Sequence, residues 1–203
     1  SGRPYPEHAS VAMMGMSTPE WAAYCAQVLG IPGTPEQIAR QVIDGVADAH
    51  RTGGVRLLPG AADAVRRMAA AYPIAVASSS PPELIDAGLD ALGVSDLISV
   101  RVSSEMVGAG KPRPDVYLEA CRRVGVRPED AVAIEDSTNG LKAAFAAGMK
   151  TVAVPMEPHV PPADVLDRAD AVLGSLNDLS VELVEALFRR VTPRMRDTGV
   201  RVP

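Results

Sequence analysis

Three short apolar runs constrain this chain more than any other feature: Ile74-Ala75-Val76-Ala77, Ala131-Val132-Ala133-Ile134 and Thr151-Val152-Ala153-Val154. Each lacks the alternation of a half-solvated strand, and each is separated from the next by stretches with helical periodicity. Continuous apolar strands joined by crossover-length helices predict a parallel sheet covered on both faces. Leu97 to Val102 and Ala171-Val172-Leu173 add weaker strand signals. The expected helices of this region are Pro82 to Leu92, Asp115 to Val124, Thr138 to Ala147 and Leu176 to Arg190.

The first 53 residues read differently, with helical signals and no convincing strand. Thr18-Pro19-Glu20 and Thr34-Pro35-Glu36 each combine a cap, a proline for the first turn and an acid near the helix N-terminus. Trp21, Tyr24, Cys25, Val28 and Leu29 supply one expected apolar stripe, and Ile38, Val42, Ile43 and Val46 the other. Two helices cannot bury a core of their own, so this segment needs a partner. Thr52-Gly53-Gly54 is a hinge between it and the strand-bearing region. The predicted division is therefore a partial helical cap over 1–53, an α/β core over 54–191 and a loosely ordered tail over 192–203.

Composition closes off several function classes. A chain of 203 residues with 47% hydrophobic and 22% charged side chains is globular rather than disordered. Its net charge of −5 and 3% aromatic content give little with which to neutralise phosphodiesters or stack bases, so no nucleic-acid partner is expected. No apolar run approaches the roughly 20 residues of a membrane-spanning helix. Cys25 and Cys121 have no metal-ligand spacing, which predicts reduced thiols and, with no leader pattern, a cytoplasmic protein. His8, His50 and His159 are scattered, which suggests neither a zinc site nor a histidine-based triad.

In doubly wound sheets ligands bind beyond the carboxyl ends of the strands, which directs attention to the polar residues there. Ser78-Ser79-Ser80 follows the first apolar run, although Ser-Ser-Pro is also ordinary turn chemistry. Lys111 stands in Gly110-Lys111-Pro112-Arg113-Pro114-Asp115, where Pro112 and Pro114 stiffen the loop that carries the ammonium. Glu135-Asp136 follows the second run, and adjacent carboxylates there repel unless a cation or base lies between them. Oxygen ligands without histidine suit Mg²⁺. Ser137, Thr138 and Asn139 open a helix whose free N–H groups can serve a phosphate, the alternative being that Asp136 or Ser137 caps that helix. Gly110-Lys111 is not a phosphate-binding loop of the Walker type, because residue 105 is Glu and Pro112 replaces the hydroxyl residue.

The order of these clusters, in the strings AVASSSP, GKPRPDVYLEA and AIEDSTNGLKAAFAAGM, resembles the haloacid dehalogenase-like hydrolases, especially their helical-cap branch. The resemblance runs from about Gly15 to Leu187. It implies that Ser78 binds the transferring phosphoryl group, with Ser79 and Ser80 hydrogen-bonding beside it. It implies further that Lys111 neutralises charge at the reacting centre, that Asp136 ligates Mg²⁺, and that Glu135 shares or supports that coordination. Such parts suit phosphoryl transfer, which depends mainly on positioning and charge stabilisation.

The family's DxDGT motif, which carries the nucleophilic Asp on the first strand, does not occur in these residues. The expectation is that this strand lies upstream of Ser1. The implied activity is Mg²⁺-dependent hydrolysis of a small phosphorylated metabolite through an aspartyl-phosphate. A β-phosphoglucomutase-like activity is the alternative, weakened because Thr18 stands where family mutases carry an arginine after the Gly-x-Ser stretch. An acidic pair disfavours dehalogenation, and its position after the serine and lysine disfavours a receiver domain. A catalytically inactive binding module is the reading from another class. The cap stretch Gly15 to Trp21 is expected to face the site. Nothing in the sequence fixes the oligomeric state.

Overall fold

The computed structural model describes Pro6, Ala9, residues 12–13 and residues 16–189. The tail over 192–203 and the strand expected upstream of Ser1 lie outside the described residues.

Two helices come first, α1 (Thr18–Gln27) and α2 (Pro35–Arg51). The start of α1 is one residue earlier than predicted: Ser17 is the cap, and Glu20 accepts from both the Ser17 N–H and Oγ at 2.7 Å. The acid at the third helical position reaches back to Ser17, and this reciprocal closure outcompetes Thr18 as the cap. Thr34 caps α2 as expected, accepting from Gln37 N at 3.3 Å while Gln37 accepts from Thr34 N at 3.0 Å. The apolar stripes are narrower than predicted. Ala22, Cys25, Ile38 and Ile43 are buried, but Val28, Val42 and Val46 are 63%, 45% and 36% exposed. The two helices pack on each other, and α2 also packs on α4 of the core.

The core follows as α3 (Ala61–Ala69), β1 (Ala75–Ser78), α4 (Pro82–Leu92), β2 (Val100–Ser103), α5 (Asp115–Val124), β3 (Val132–Glu135), α6 (Thr138–Ala147), β4 (Lys150–Ala153), α7 (Ala163–Leu166), β5 (Ala171–Val172) and α8 (Val181–Phe188). All strand pairs are parallel, as predicted. Among the described residues they form two sheets, one of β1 and β2 and one in the order β3-β4-β5. Two expectations change in detail. Ser95–Leu97 is a 3₁₀ turn rather than the start of a strand, with Ile98 buried as a plug between it and β2. Leu176–Asp178 is likewise a 3₁₀ turn, and α8 begins only after Ser180, whose Oγ accepts from Leu183 N at 3.1 Å.

Helices cover both faces. On one, Val116, Tyr117 and Ala120 of α5 and Ala143, Ala144 and Ala147 of α6 pack against Ala75, Ala77, Val102 and Ala133. This cluster spans both sheets and so holds them in one core. On the other, Ala64 and Met68 of α3 and Val184 of α8 pack with Ile74 and Val132, while Ile85 and Leu89 of α4 pack with Val76. The small side chains of α6 allow it to lie close on β3 and β4. Cys25 and Cys121 are both buried and free. None of the helices among the described residues is long and apolar enough to cross a membrane.

Candidate active site

Contacts between loops bring the carboxyl ends of the strands together. Ser103 at the end of β2 is fully buried, and its Oγ donates to Ser80 O at 2.7 Å, which ties the serine turn after β1 to β2. The loop after β2 then carries Lys111 to Glu135 at the end of β3, where its Nζ donates to Glu135 Oε1. Ser78, Lys111, Glu135 and Asp136 therefore lie at one end of the core, where the sequence placed the site.

The Lys111–Glu135 pair is buried, with 8% and 7% of the respective side chains exposed. Tyr117 of α5 completes it. Its hydroxyl donates to Glu135 Oε1 at 2.9 Å and accepts from Lys111 Nζ at 3.3 Å, and its ring centroid lies 4.8 Å from the ammonium. Oε2 of Glu135 accepts from Asp136 N at 2.9 Å and from Ser137 N and Oγ at 3.0 Å. Both oxygens are thus occupied by donors of the protein. A β-carbon at residue 140 would lie 1.9 Å from the carboxyl carbon, so only glycine lets the carboxylate rest on the first turn of α6.

Charge follows this geometry. Burial works to raise the Glu135 pKa, but the Lys111 charge and hydrogen bond, the Ser137 amide and the Tyr117 hydroxyl outweigh it and hold it below the usual carboxylate value. Asp136 shifts the opposite way, raised by the desolvation of its carboxyl and then by the neighbouring Glu135 charge. Burial, followed by the Glu135 charge, pushes the Tyr117 hydroxyl well up, so Tyr117 remains a proton donor.

Of the residues singled out in the sequence, Lys111, Glu135 and Ser137 share one network with the backbone of Asp136. Asp136 as a whole residue is exposed, while its carboxyl end is partly desolvated beside Glu135. Ser137 caps α6, its Oγ accepting from Gly140 N at 3.0 Å. Ser78 Oγ accepts from Ser80 N at 3.1 Å, a turn bond that leaves the hydroxyl proton available. Ser79 lies within that turn, and Asn139 lies in the first turn of α6. No group of three or more His, Cys, Asp or Glu side chains is placed to hold a metal among the described residues. The donor set nevertheless fits Mg²⁺, which retains water and substrate oxygens and needs only one or two carboxylates. Asp136 would be its carboxylate ligand, and Glu135 holds the backbone of the loop that carries it.

Sequence reasoning did not assign Tyr117, Ser103 or Gly140. Each left a trace: a buried phenol that needs a partner, a serine at a strand end, and a glycine inside a helical pattern.

A cleft of about 1080 Å³ opens beside Lys111 between the cap helices and the loop over 104–113. Ser17, Thr18 and Arg40 line its cap wall, and Ser104 and Arg113 the core wall. The cap stretch around Thr18 thus borders the same space as the catalytic lysine candidate.

The chain is similar to several known proteins. Hexitol phosphatase B of Escherichia coli is 32% identical over 161 residues, covering 78% of this chain and 71% of that protein. The bifunctional riboflavin kinase/FMN phosphatase of Arabidopsis thaliana is 38% identical over 130 residues, covering 63% of this chain but only 34% of that longer protein. The crystal structure of CbbY from Rhodobacter sphaeroides in complex with phosphate superimposes with a TM-score of 0.75 at 28% identity, covering 88% of this chain and 82% of that one. The haloacid dehalogenase-like hydrolase model matches residues 3–148, which include the cap helices, the serine turn, the lysine loop and the acidic pair, and the chain belongs to that family of hydrolases.

Proposed function

We propose that the protein is a Mg²⁺-dependent phosphatase that hydrolyses a small phosphate monoester through an aspartyl-phosphate. The observation that carries this reading is the buried Lys111 ammonium, held by Glu135 and Tyr117 on a loop that lines the cleft, with Asp136 following Glu135 at the end of β3. Lys111 spends two donors on Glu135 and Tyr117, and the third can meet a phosphoryl oxygen. The Ser78 hydroxyl is the second donor, its own oxygen already oriented by Ser80 N. Asp136 would hold the cation, which supplies charge neutralisation at the phosphoryl oxygens. Glu135 and Ser137 position rather than bind, because their polar atoms are committed within the protein.

The nucleophile in this reading is the aspartate of the strand that the resemblance places before Ser1. Attack of that carboxylate on phosphorus breaks the ester P–O bond and the leaving alkoxide takes a proton from water; water then cleaves the acyl phosphate, which releases inorganic phosphate and regenerates the carboxylate. The names of the phosphatase relatives support the reaction class, and the bound phosphate of the CbbY structure supports the ligand class. Thr18, uncharged where family mutases carry an arginine, favours hydrolysis over transfer between two phosphorylated positions, although Arg40 and Arg113 line the same cleft.

Hydrolysis of p-nitrophenyl phosphate by the full-length protein, with Mg²⁺ and after chelation, tests the proposal. Turnover is expected only with the metal. Lys111→Met and Asp136→Ala are each expected to lower kcat by at least about 10²-fold, the size of a lost charge contact at the transition state. Metal-independent turnover, or full activity in both variants, would overturn the reading. No turnover under any condition would favour an inactive binding module.

A further inference from the structure

Ser103 closes β2, where the parallel register sets it beside Ser78, the last residue of β1. The residue is fully buried, and a hydroxyl removed from water destabilises the fold unless it is paired. Its two partners lie on two different loops. Ser103 Oγ donates to Ser80 O at 2.7 Å and accepts from Glu105 N at 3.1 Å. The first partner belongs to the serine turn after β1, and the second to the segment that runs on to Lys111. The Ser103 N–H is engaged as well, donating to Met106 Sδ at 3.4 Å, which fastens the 3₁₀ turn Ser104–Met106 to the strand end.

These bonds form one chain. Glu105 N–H donates to Ser103 Oγ, Ser103 O–H donates to Ser80 O, and Ser80 N–H donates to Ser78 Oγ at 3.1 Å. A hydroxyl carries a single proton. Ser103 commits its own to Ser80, whereas Ser78, an acceptor in this chain, keeps its own for a phosphoryl oxygen. The two loops differ in what else holds them. Lys111 is fixed by Glu135 of β3 and Tyr117 of α5. Among the described residues no charged side chain bonds to the serine turn, so the tie across to β2 falls to Ser103.

We propose that Ser103 is a positioning residue for phosphoryl transfer: its buried hydroxyl sets the Ser78 turn against the loop that leads to Lys111, so that the two phosphoryl-binding donors keep one spacing. This rests on the phosphatase reading above and adds to it a residue that touches neither substrate nor metal. Donors at a transferring phosphoryl group act by being in place before charge develops, and a displacement of about 1 Å can cost about 10²-fold in rate. Without the Ser103 hydroxyl, Ser80 O loses this donor and Glu105 N this acceptor, and the serine turn is free to shift relative to β2.

The test uses the full-length protein with Mg²⁺ and p-nitrophenyl phosphate, and compares Ser103→Ala, Ser78→Ala and the double variant. Ser103→Cys, which keeps a small side chain with a poorer donor, is measured beside them in case the alanine variant does not fold. Ser78→Ala is expected to lower kcat by about 10²-fold, the size of one lost donor at the transition state. Each Ser103 variant is expected to lower kcat by about tenfold, with KM unchanged within about twofold. The double variant is expected to match Ser78→Ala, because a residue that acts through Ser78 then has nothing left to place. A merely structural Ser103 would lose its tenfold in both backgrounds, about 10³-fold in all. That additive result, full kcat in a folded Ser103 variant, or no effect of Ser78→Ala would overturn the proposal while leaving the phosphatase reading intact. So would failure of both Ser103 variants to fold, which would assign the hydroxyl to the fold alone. A wild type without turnover removes the phosphatase reading, and this one with it.

Discussion

Two lysine–carboxylate pairs stand at opposite ends of the same core. At the carboxyl ends of the strands, Lys111 meets Glu135; at the amino ends, Lys150, the first residue of β4, meets Asp170, just before β5. Both carboxylates also accept backbone N–H groups, Glu135 from Asp136 and Ser137 and Asp170 from Thr151 at 2.8 Å. The chemistry is the same and the solvation is not. Lys150 and Asp170 are 38% and 28% exposed, so water shares the charges and the pair acts as a clip between strands. Lys111 and Glu135 are nearly dry, and a dry pair is costly to assemble and weak evidence for stability. What it secures at this end is a fixed position for the ammonium of a residue in the loop that lines the cleft.

The comparison would break most visibly at Glu135. Glu135→Gln leaves the Lys111 ammonium buried beside an amide, and loss of one partner of a buried pair is expected to cost about 3–5 kcal/mol. Chemical denaturation at neutral pH measures this directly. A cost below about 1 kcal/mol would mean that water reaches the pair as it reaches Lys150 and Asp170.

Gly140→Ala probes the same network without touching a charge. The added carbon meets the Glu135 carboxyl group at 1.9 to 2.2 Å, so either the carboxylate or α6 must move. Overpacking of this kind is expected to cost about 1–3 kcal/mol, against the small gain alanine brings at an open helical glycine. A parallel Gly45→Ala in α2, where a new β-carbon meets nothing within 4 Å, supplies the reference. Equal effects at both positions would show that the carboxylate yields freely.

How far these features were legible in the sequence depended on range. The strands β1, β3 and β4 could be read because unbroken runs of Ala, Val and Ile mark strands with helices packed on both faces, although β1 is only half-buried and Ile134 of β3 is exposed. The cap stripes could be read only in part, because exposure of Val28, Val42 and Val46 depends on how few surfaces two helices find to pack against. Lys111 and the Glu135-Asp136 pair stood out by local chemistry, two prolines and two adjacent acids. That Glu135 turns inward while Asp136 stays accessible was not legible, since it needs Tyr117 and Gly140, brought in by tertiary packing.

The smallest effect is expected at the other end of the core, and it carries a pH signature. Burial tends to raise the Asp170 pKa, but the Lys150 hydrogen bond, the Thr151 amide and the Lys150 charge together lower it below 3.8. A carboxylate depressed in the folded state stabilises the protein above its unfolded pKa, and that contribution is lost as pH falls through the folded value. Asp170→Asn keeps an acceptor for the Thr151 amide and removes only the charge. Because the pair is half solvated, the expected loss at neutral pH is about 0.5–1 kcal/mol, and it shrinks towards zero as the pH drops below 3.8. Added salt should reduce the neutral-pH difference as well, since exposed charges are screened within about 10 Å at 0.1 M. Denaturation curves of the two proteins from pH 7 down to about 3 measure the difference. A loss that persists undiminished at the acid end would assign the effect of Asp170 to packing rather than to its charge, and the contrast with the dry pair at Lys111 would no longer be one of solvation.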